Sequence, residues 1–127
     1  MRIEDFDSKC DVTKPEDVEV ALNKRHVGGI NAFWLSHGTE KFPAIGILVK
    51  GELANVHFFP RERHPGFTSV ANVFDHRSNE TSIFFVRPTE KTWVRNDALV
   101  PFSDALKVAQ EFAASKVMPK CIQWFEL

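Results

Sequence analysis

Apolar residues in the chain first recur at helical spacing. Val18, Ala21 and Leu22 are three and four apart, which places them on one stripe of a helix. Thr13 precedes the stripe and Glu16 follows three residues later, the spacing of a reciprocal capping box, while Pro15 suits a first helical turn. Glu16, Asp17 and Glu19 put negative charge near the positive end of the helix dipole. The pattern predicts a helix over residues 15–24, stopped by Gly28 and Gly29.

Past the glycines the pattern becomes that of strands. Residues 30–35 hold Phe33 and Trp34, residues 44–50 read Ala-Ile-Gly-Ile-Leu-Val-Lys, and residues 53–59 read Leu-Ala-Asn-Val-His-Phe-Phe. Lys50-Gly51-Glu52 is a short loop centred on glycine, so the second and third strands should form an antiparallel hairpin. Pro60 ends that run, and residues 61–66, Arg-Glu-Arg-His-Pro-Gly, have the composition of an exposed loop. Residues 81–86 predict a later strand and residues 67–74 a shorter one. Ser103 offers a cap for a second helix, whose wide apolar face of Ala105, Leu106, Val108, Ala109, Phe112 and Ala113 extends through Ser115. A terminal extended piece over residues 121–125 sets Ile122 and Trp124 on one face, with Trp124 as its structural anchor. These elements predict an α+β fold, a mostly antiparallel sheet of five to six strands with an N-terminal and a C-terminal helix packed on it.

The 127 residues fit one domain over residues 1–127, and 43% hydrophobic content supplies a core. Sixteen Lys and Arg against seventeen Asp and Glu give no whole-chain support for phosphate neutralisation, which excludes a general nucleic-acid coat protein. No apolar stretch approaches the ~20 residues that span a bilayer, and Met1-Arg2-Ile3-Glu4-Asp5 is too acidic to open a signal peptide. A soluble, cytoplasmic protein without a membrane partner is expected. Charge is uneven, however: residues 1–20 carry seven acids against three bases, making the amino end acidic.

Candidate chemistry is sparse. Cys10 and Cys121 show neither a C-x-x-C pair nor zinc-finger spacing and read as reduced, small buried hydrophobes. Alternation places His57 with Asn55 and Phe59 on a sheet face, while His26, His37, His64 and His76 fall in turns or loops with no paired ligand spacing. No metal and no cofactor are expected. Asp75 and His76 are adjacent, so on an extended chain they point opposite ways. There is no nucleophile elbow and no phosphate loop, and Cys121 after Pro119-Lys120 lacks the second Cys and the His-x-Glu of a zinc deaminase. The chain therefore reads as a non-enzyme. Residues 61–64 and 74–80 set Phe67, Phe74 and Arg77 beside acids, a composition suited to protein recognition unless the two phenylalanines are core.

Val100-Pro101-Phe102-Ser103, a helix with Ala105, Ala109 and Phe112, then Pro119 and Trp124 five residues on, together resemble the first-described family of bacterial polymorphic-toxin immunity proteins. That family includes the antidote of a double-stranded-DNA cytosine deaminase toxin. The upstream order of an amino-terminal helix, Phe33-Trp34-Leu35 and a hairpin over residues 45–59 agrees with it. The resemblance implies a cytoplasmic protein that binds a cognate toxin domain encoded nearby, a nucleic-acid deaminase, and blocks its active site without itself touching nucleic acid. Such a toxin presents a basic groove that acids can steer toward. Residues 61–97 are the expected interface, with Glu62, Phe74, Asp75, Glu80 and Trp93 as contacts and the acidic amino end serving association rate. A small-molecule-binding or regulatory α+β domain, with an apolar pocket between sheet and helix, is the other reading.

Overall fold

The computed structural model describes residues 1–71 and 80–127. Strands β1 (Arg2–Glu4) and β2 (Lys9–Asp11) pair antiparallel ahead of helix α1 (Pro15–Leu22). A meander follows of β3 (Ile30–Ser36), β4 (Ala44–Lys50) and β5 (Leu53–Phe59), then β6 (Phe67–Ser69). Strands β7 (Thr81–Arg87) and β8 (Glu90–Arg95) form a separate hairpin. A 3-10 turn at Asn96–Ala98 leads to β9 (Val100–Pro101), helix α2 (Phe102–Ser115) and β10 (Trp124–Glu126).

Eight strands make the main sheet, in the order β10-β6-β5-β4-β3-β1-β2 with β9 also paired to β5. Every pairing in it is antiparallel. The α+β class is as expected, but the count of five to six strands is corrected. The additional strands are two or three residues long, too short for alternation to register. The central hairpin has the expected bounds, Lys50 standing opposite Leu53 and Gly51 turning the chain at φ 58°.

The two faces of the sheet are covered differently. Phe33, Leu35, Ile45, Ile47, Val49, Ala54, Val56 and Phe58 point to one side and join Val18 and Leu22 of α1 and Ala105, Val108, Ala109 and Phe112 of α2 in the main core. The alternation of these seven-residue strands delivers one apolar side chain to this face at every second position. Gln110 Nε2 donates to the Pro15 carbonyl at 3.1 Å and ties the helices together. On the opposite face the β7–β8 hairpin packs Phe84 and Val94 with Ala98 against Leu48 and Leu99.

Neither expected cap forms. Pro15 occupies the first turn of α1, so the cap position falls to Lys14, which has no short acceptor, and Thr13 lies one residue too early. Helix α2 starts at Phe102, whose N–H already donates to the Glu52 carbonyl at 2.7 Å, leaving Ser103 inside the first turn. At the other end His37 Nε2 lies 2.9 Å from the Phe112 carbonyl, a bond in which Nε2 carries the proton. Both cysteines are free, and Cys121 is exposed where a buried position was expected, because it sits in the loop beyond α2. Phe67 packs against the main core, as Trp124 does from β10.

Candidate functional site

Register builds a row of side chains across the less covered face of the sheet. Glu4 stands opposite Trp34, Trp34 opposite Gly46, Gly46 opposite His57, His57 opposite Thr68, and Thr68 opposite Phe125. Directly opposed residues of antiparallel strands share a face, so six strands, from β1 near the amino end to β10 near the carboxyl end, contribute to one strip. Phe59, two residues beyond His57, lies on the same face, and its ring stacks on Trp34 at 5.4 Å and on His57 at 5.8 Å. Phe42 meets the far side of Trp34 edge-on at 6.3 Å.

Gly46 lies directly beneath this stack. A Cβ there would touch the Phe59 ring at 3.6 Å and the Trp34 ring at 3.7 Å, so the two aromatics already lean over the space a side chain would fill. The result is a concavity of about 740 Å³ with Trp34, Gly46, Leu48, His57 and Phe59 in its floor. Glu4, Asp5 and Phe6 form one wall, Val86, Arg87, Pro88 and Thr92 of the hairpin another, and Pro65 and Leu127 close an end. The Pro65 end is held rigidly. Gly66, at φ +95°, abuts the Phe58 carbonyl and the Phe59 ring, while its N–H donates to His64 Nδ1 at 2.8 Å and its carbonyl accepts from Leu127 at 2.9 Å.

The charge states follow from these surroundings. Burial lowers the pKa of His57, so the imidazole is neutral at neutral pH and behaves as part of the aromatic floor. Burial alone would push the Asp5 carboxyl up, but the N–H groups of Asp7 and Ser8 and the Ser8 hydroxyl donate to Asp5 Oδ1 at 2.9, 2.8 and 3.1 Å and hold it below the ordinary value. One wall is thus ionised and acidic. On the opposite wall Arg87 pairs with Glu90 at 3.0 Å. The acids of residues 1–20 do not form one patch. Glu4 and Asp5 border the concavity, Asp7 reaches His26 at 3.1 Å, and Glu16, Asp17 and Glu19 ride on α1 beyond the other face of the sheet.

The expected contact residues are dispersed. Trp93 is 63% exposed, opposite Ile83 on the outer side of the hairpin, away from the buried Phe84 and Val94. Glu80 immediately precedes β7, where its carbonyl accepts the Asn96 N–H at 2.9 Å. Glu62 is exposed on the loop between β5 and β6. Phe74 and Asp75, with His76 and Arg77, lie outside the described residues. The structure therefore brings Glu80 and Trp93 onto one hairpin and leaves Glu62 on another element. Sequence reading passed over Glu4, Trp34, Gly46 and Phe59. Alternation did place His57 and Phe59 on one face, but nothing local pairs them with Trp34 or Glu4.

The space between sheet and helices, where the small-molecule reading needs a pocket, is filled by fully buried side chains including Phe112, Val108, Ile45 and Val56. Among the described residues no group of three or more His, Cys, Asp or Glu is placed to hold a metal ion. No helix among them is long and apolar enough to cross a membrane. A family model, Immunity protein Imm1, matches residues 7–126. The double-stranded DNA deaminase immunity protein of Burkholderia cenocepacia strain H111 is 24% identical over 128 residues, covering the whole of both chains.

Proposed function

Because the chain belongs to the Imm1 immunity protein family, we propose that it binds a cognate toxin domain encoded nearby and blocks the active site of that domain. Membership makes it an immunity protein and not an enzyme. The finer reading names the toxin as one that acts on nucleic acid, and as a deaminase, following the name of the Burkholderia cenocepacia relative. It also places the antidote in the cytoplasm, free of nucleic acid and membrane.

The observation that carries the reading is the exposed indole of Trp93 on a hydrogen-bonded ribbon. Aromatic side chains displayed on rigid elements are the usual anchors of protein interfaces, since little conformational entropy is lost when they are covered. Glu80 on the same hairpin and Glu62 on the separate loop between β5 and β6 are proposed to supply charge that complements a nucleic-acid-binding surface, and Phe74 and Asp75, outside the described residues, are proposed as further contacts. Such an interface would hold the antidote across the substrate groove. The test is co-expression of the adjacent toxin domain with this chain. Restored growth and co-purification of the two proteins are expected. A wild-type chain that neither rescues nor co-purifies removes the reading.

A further inference from the structure

We infer that the aromatic concavity receives one cationic side chain, arginine or lysine, from the toxin domain. The inference rests on the proposed toxin-binding function and adds a second contact surface, on the sheet itself, to the hairpin. Three observations carry it. Trp34 and Phe59 offer π-faces in a stack held over Gly46, and a cation over such faces is attracted by the ring quadrupole. Glu4 is fixed beside Trp34 by strand register, and Asp5 follows it on the same wall. The lining base, Arg87, is already paired with Glu90 across the hairpin turn.

Together these make a site with two anionic groups, an aromatic floor and a neutral imidazole, which suits a guanidinium or ammonium better than an apolar or acidic group. The partner's chemistry fits. A domain that acts on nucleic acid carries lysines and arginines to neutralise phosphates. Capturing one of them removes a phosphate contact from the toxin while anchoring the antidote. Glu4 also lies 3.5 Å from Arg2, an exposed pair like Arg87–Glu90; surface pairs of this kind contribute little, so a partner's base can replace Arg2 at Glu4, beside the Asp5 carboxylate on the same wall.

The experiment measures association and dissociation of the adjacent toxin domain with wild-type chain and three variants, each checked for an unchanged melting temperature. Glu4→Lys reverses the acidic wall, Gly46→Met fills the space beneath the rings, and Glu16→Lys makes the same charge change on α1, beyond the other face. Glu4→Lys and Gly46→Met should each speed dissociation by about tenfold, and Glu16→Lys by less than about twofold. Phe59→Leu, which removes one π-face of the stack while keeping an apolar side chain, serves if the methionine variant does not fold. Glu4→Gln combined with alanine at each toxin lysine and arginine should show one base whose loss is non-additive with Glu4. Dissociation unchanged by Glu4→Lys and Gly46→Met overturns the inference and leaves the immunity function standing. Weakening by Gly46→Met without any coupled base assigns the concavity to an apolar group and also overturns it. A wild-type chain that does not bind removes both.

Discussion

Replacing Trp124 with alanine should destabilise the fold by about 3 kcal/mol, and replacing it with phenylalanine by about 1 kcal/mol. The indole is half-buried against the main core, 6.3 Å from the Phe58 ring, and its Nε1–H donates to the Pro119 carbonyl at 2.8 Å. Full burial of a tryptophan makes its truncation cost about 3–5 kcal/mol, so a half-buried ring contributes about 2 kcal/mol, and the lost hydrogen bond adds about 1 kcal/mol. Phenylalanine keeps most of the packing and loses the bond. Urea denaturation reads both numbers. With a slope of about 1.5 kcal/mol/M the midpoint falls by about 2 M for alanine and by less than 1 M for phenylalanine. The same change should reach the site, since β10 carries Phe125 on the concave face and the following Leu127 lines the concavity and donates its N–H to the Gly66 carbonyl. Backbone amides of β10 should exchange faster in the alanine variant. An alanine variant within about 0.5 kcal/mol of wild type, or a phenylalanine variant as unstable as alanine, would refute the assignment of Trp124 as the pin of this strand.

The remaining predictions follow from single positions. Gly66→Ala should cost about 2 kcal/mol, because φ is +95° and a Cβ would lie 2.9 Å from the Phe58 carbonyl oxygen; an unchanged denaturation midpoint would contradict this. Trp93→Ala should leave the melting temperature within about 2 °C of wild type yet speed dissociation of the toxin complex, as surface plasmon resonance can measure. Glu62→Lys and Glu80→Lys should slow association, more so at low salt, and a salt-independent effect would argue against steering. Burial lowers the pKa of both His37 and His57, so the unfolded chain takes up protons near pH ~6.5 where the folded chain does not. Stability should therefore be complete above that pH and fall as pH drops from about 7 to about 5, with a shallower fall in His57→Gln.

How far the fold could be read depended on the length over which a pattern ran. The β4–β5 hairpin was legible to the residue because seven-residue strands flank a glycine turn, and α2 because its apolar face runs for four turns. Strand β8 was missed since Glu90-Lys91-Thr92-Trp93-Val94-Arg95 buries only Val94, and its partner β7 carries the apolar signal of the hairpin. Thr13 and Ser103 misled for one shared reason. Cap preference is a local rule, and here Pro15 and the bond from Phe102 to Glu52 set the helix starts instead. Trp93 was legible as an aromatic in a charged segment, and the structure leaves it exposed, whereas the row from Glu4 through Trp34 and Gly46 to His57 exists only once strand register is known.

One signal of that row was nonetheless present in the chain. Strand β4 reads Ala-Ile-Gly-Ile-Leu-Val, almost without polar residues, and such a run marks a strand covered on both faces. The two helices cover one face completely. On the other, Phe84 and its neighbours from the hairpin reach Leu48, while at the Gly46 level Trp34 and Phe59 are only partly buried, and Phe125 at the far end of the same row is 62% exposed. A sequence that specifies a two-sided strand and a fold that covers only part of the second side leave apolar surface unaccounted for within the chain. Rings at that position cost less to leave in water if the wall beside them is ionised and hydrated, which is the place of Glu4 and Asp5. The same arrangement lets a partner cover the rings with the stem of a long basic side chain while its charge meets the carboxylates. Under the proposed function the toxin would cover this part of the sheet, and hydrogen exchange of the complex against the free chain should then show added protection concentrated in β3, β4 and β5 rather than in the helices.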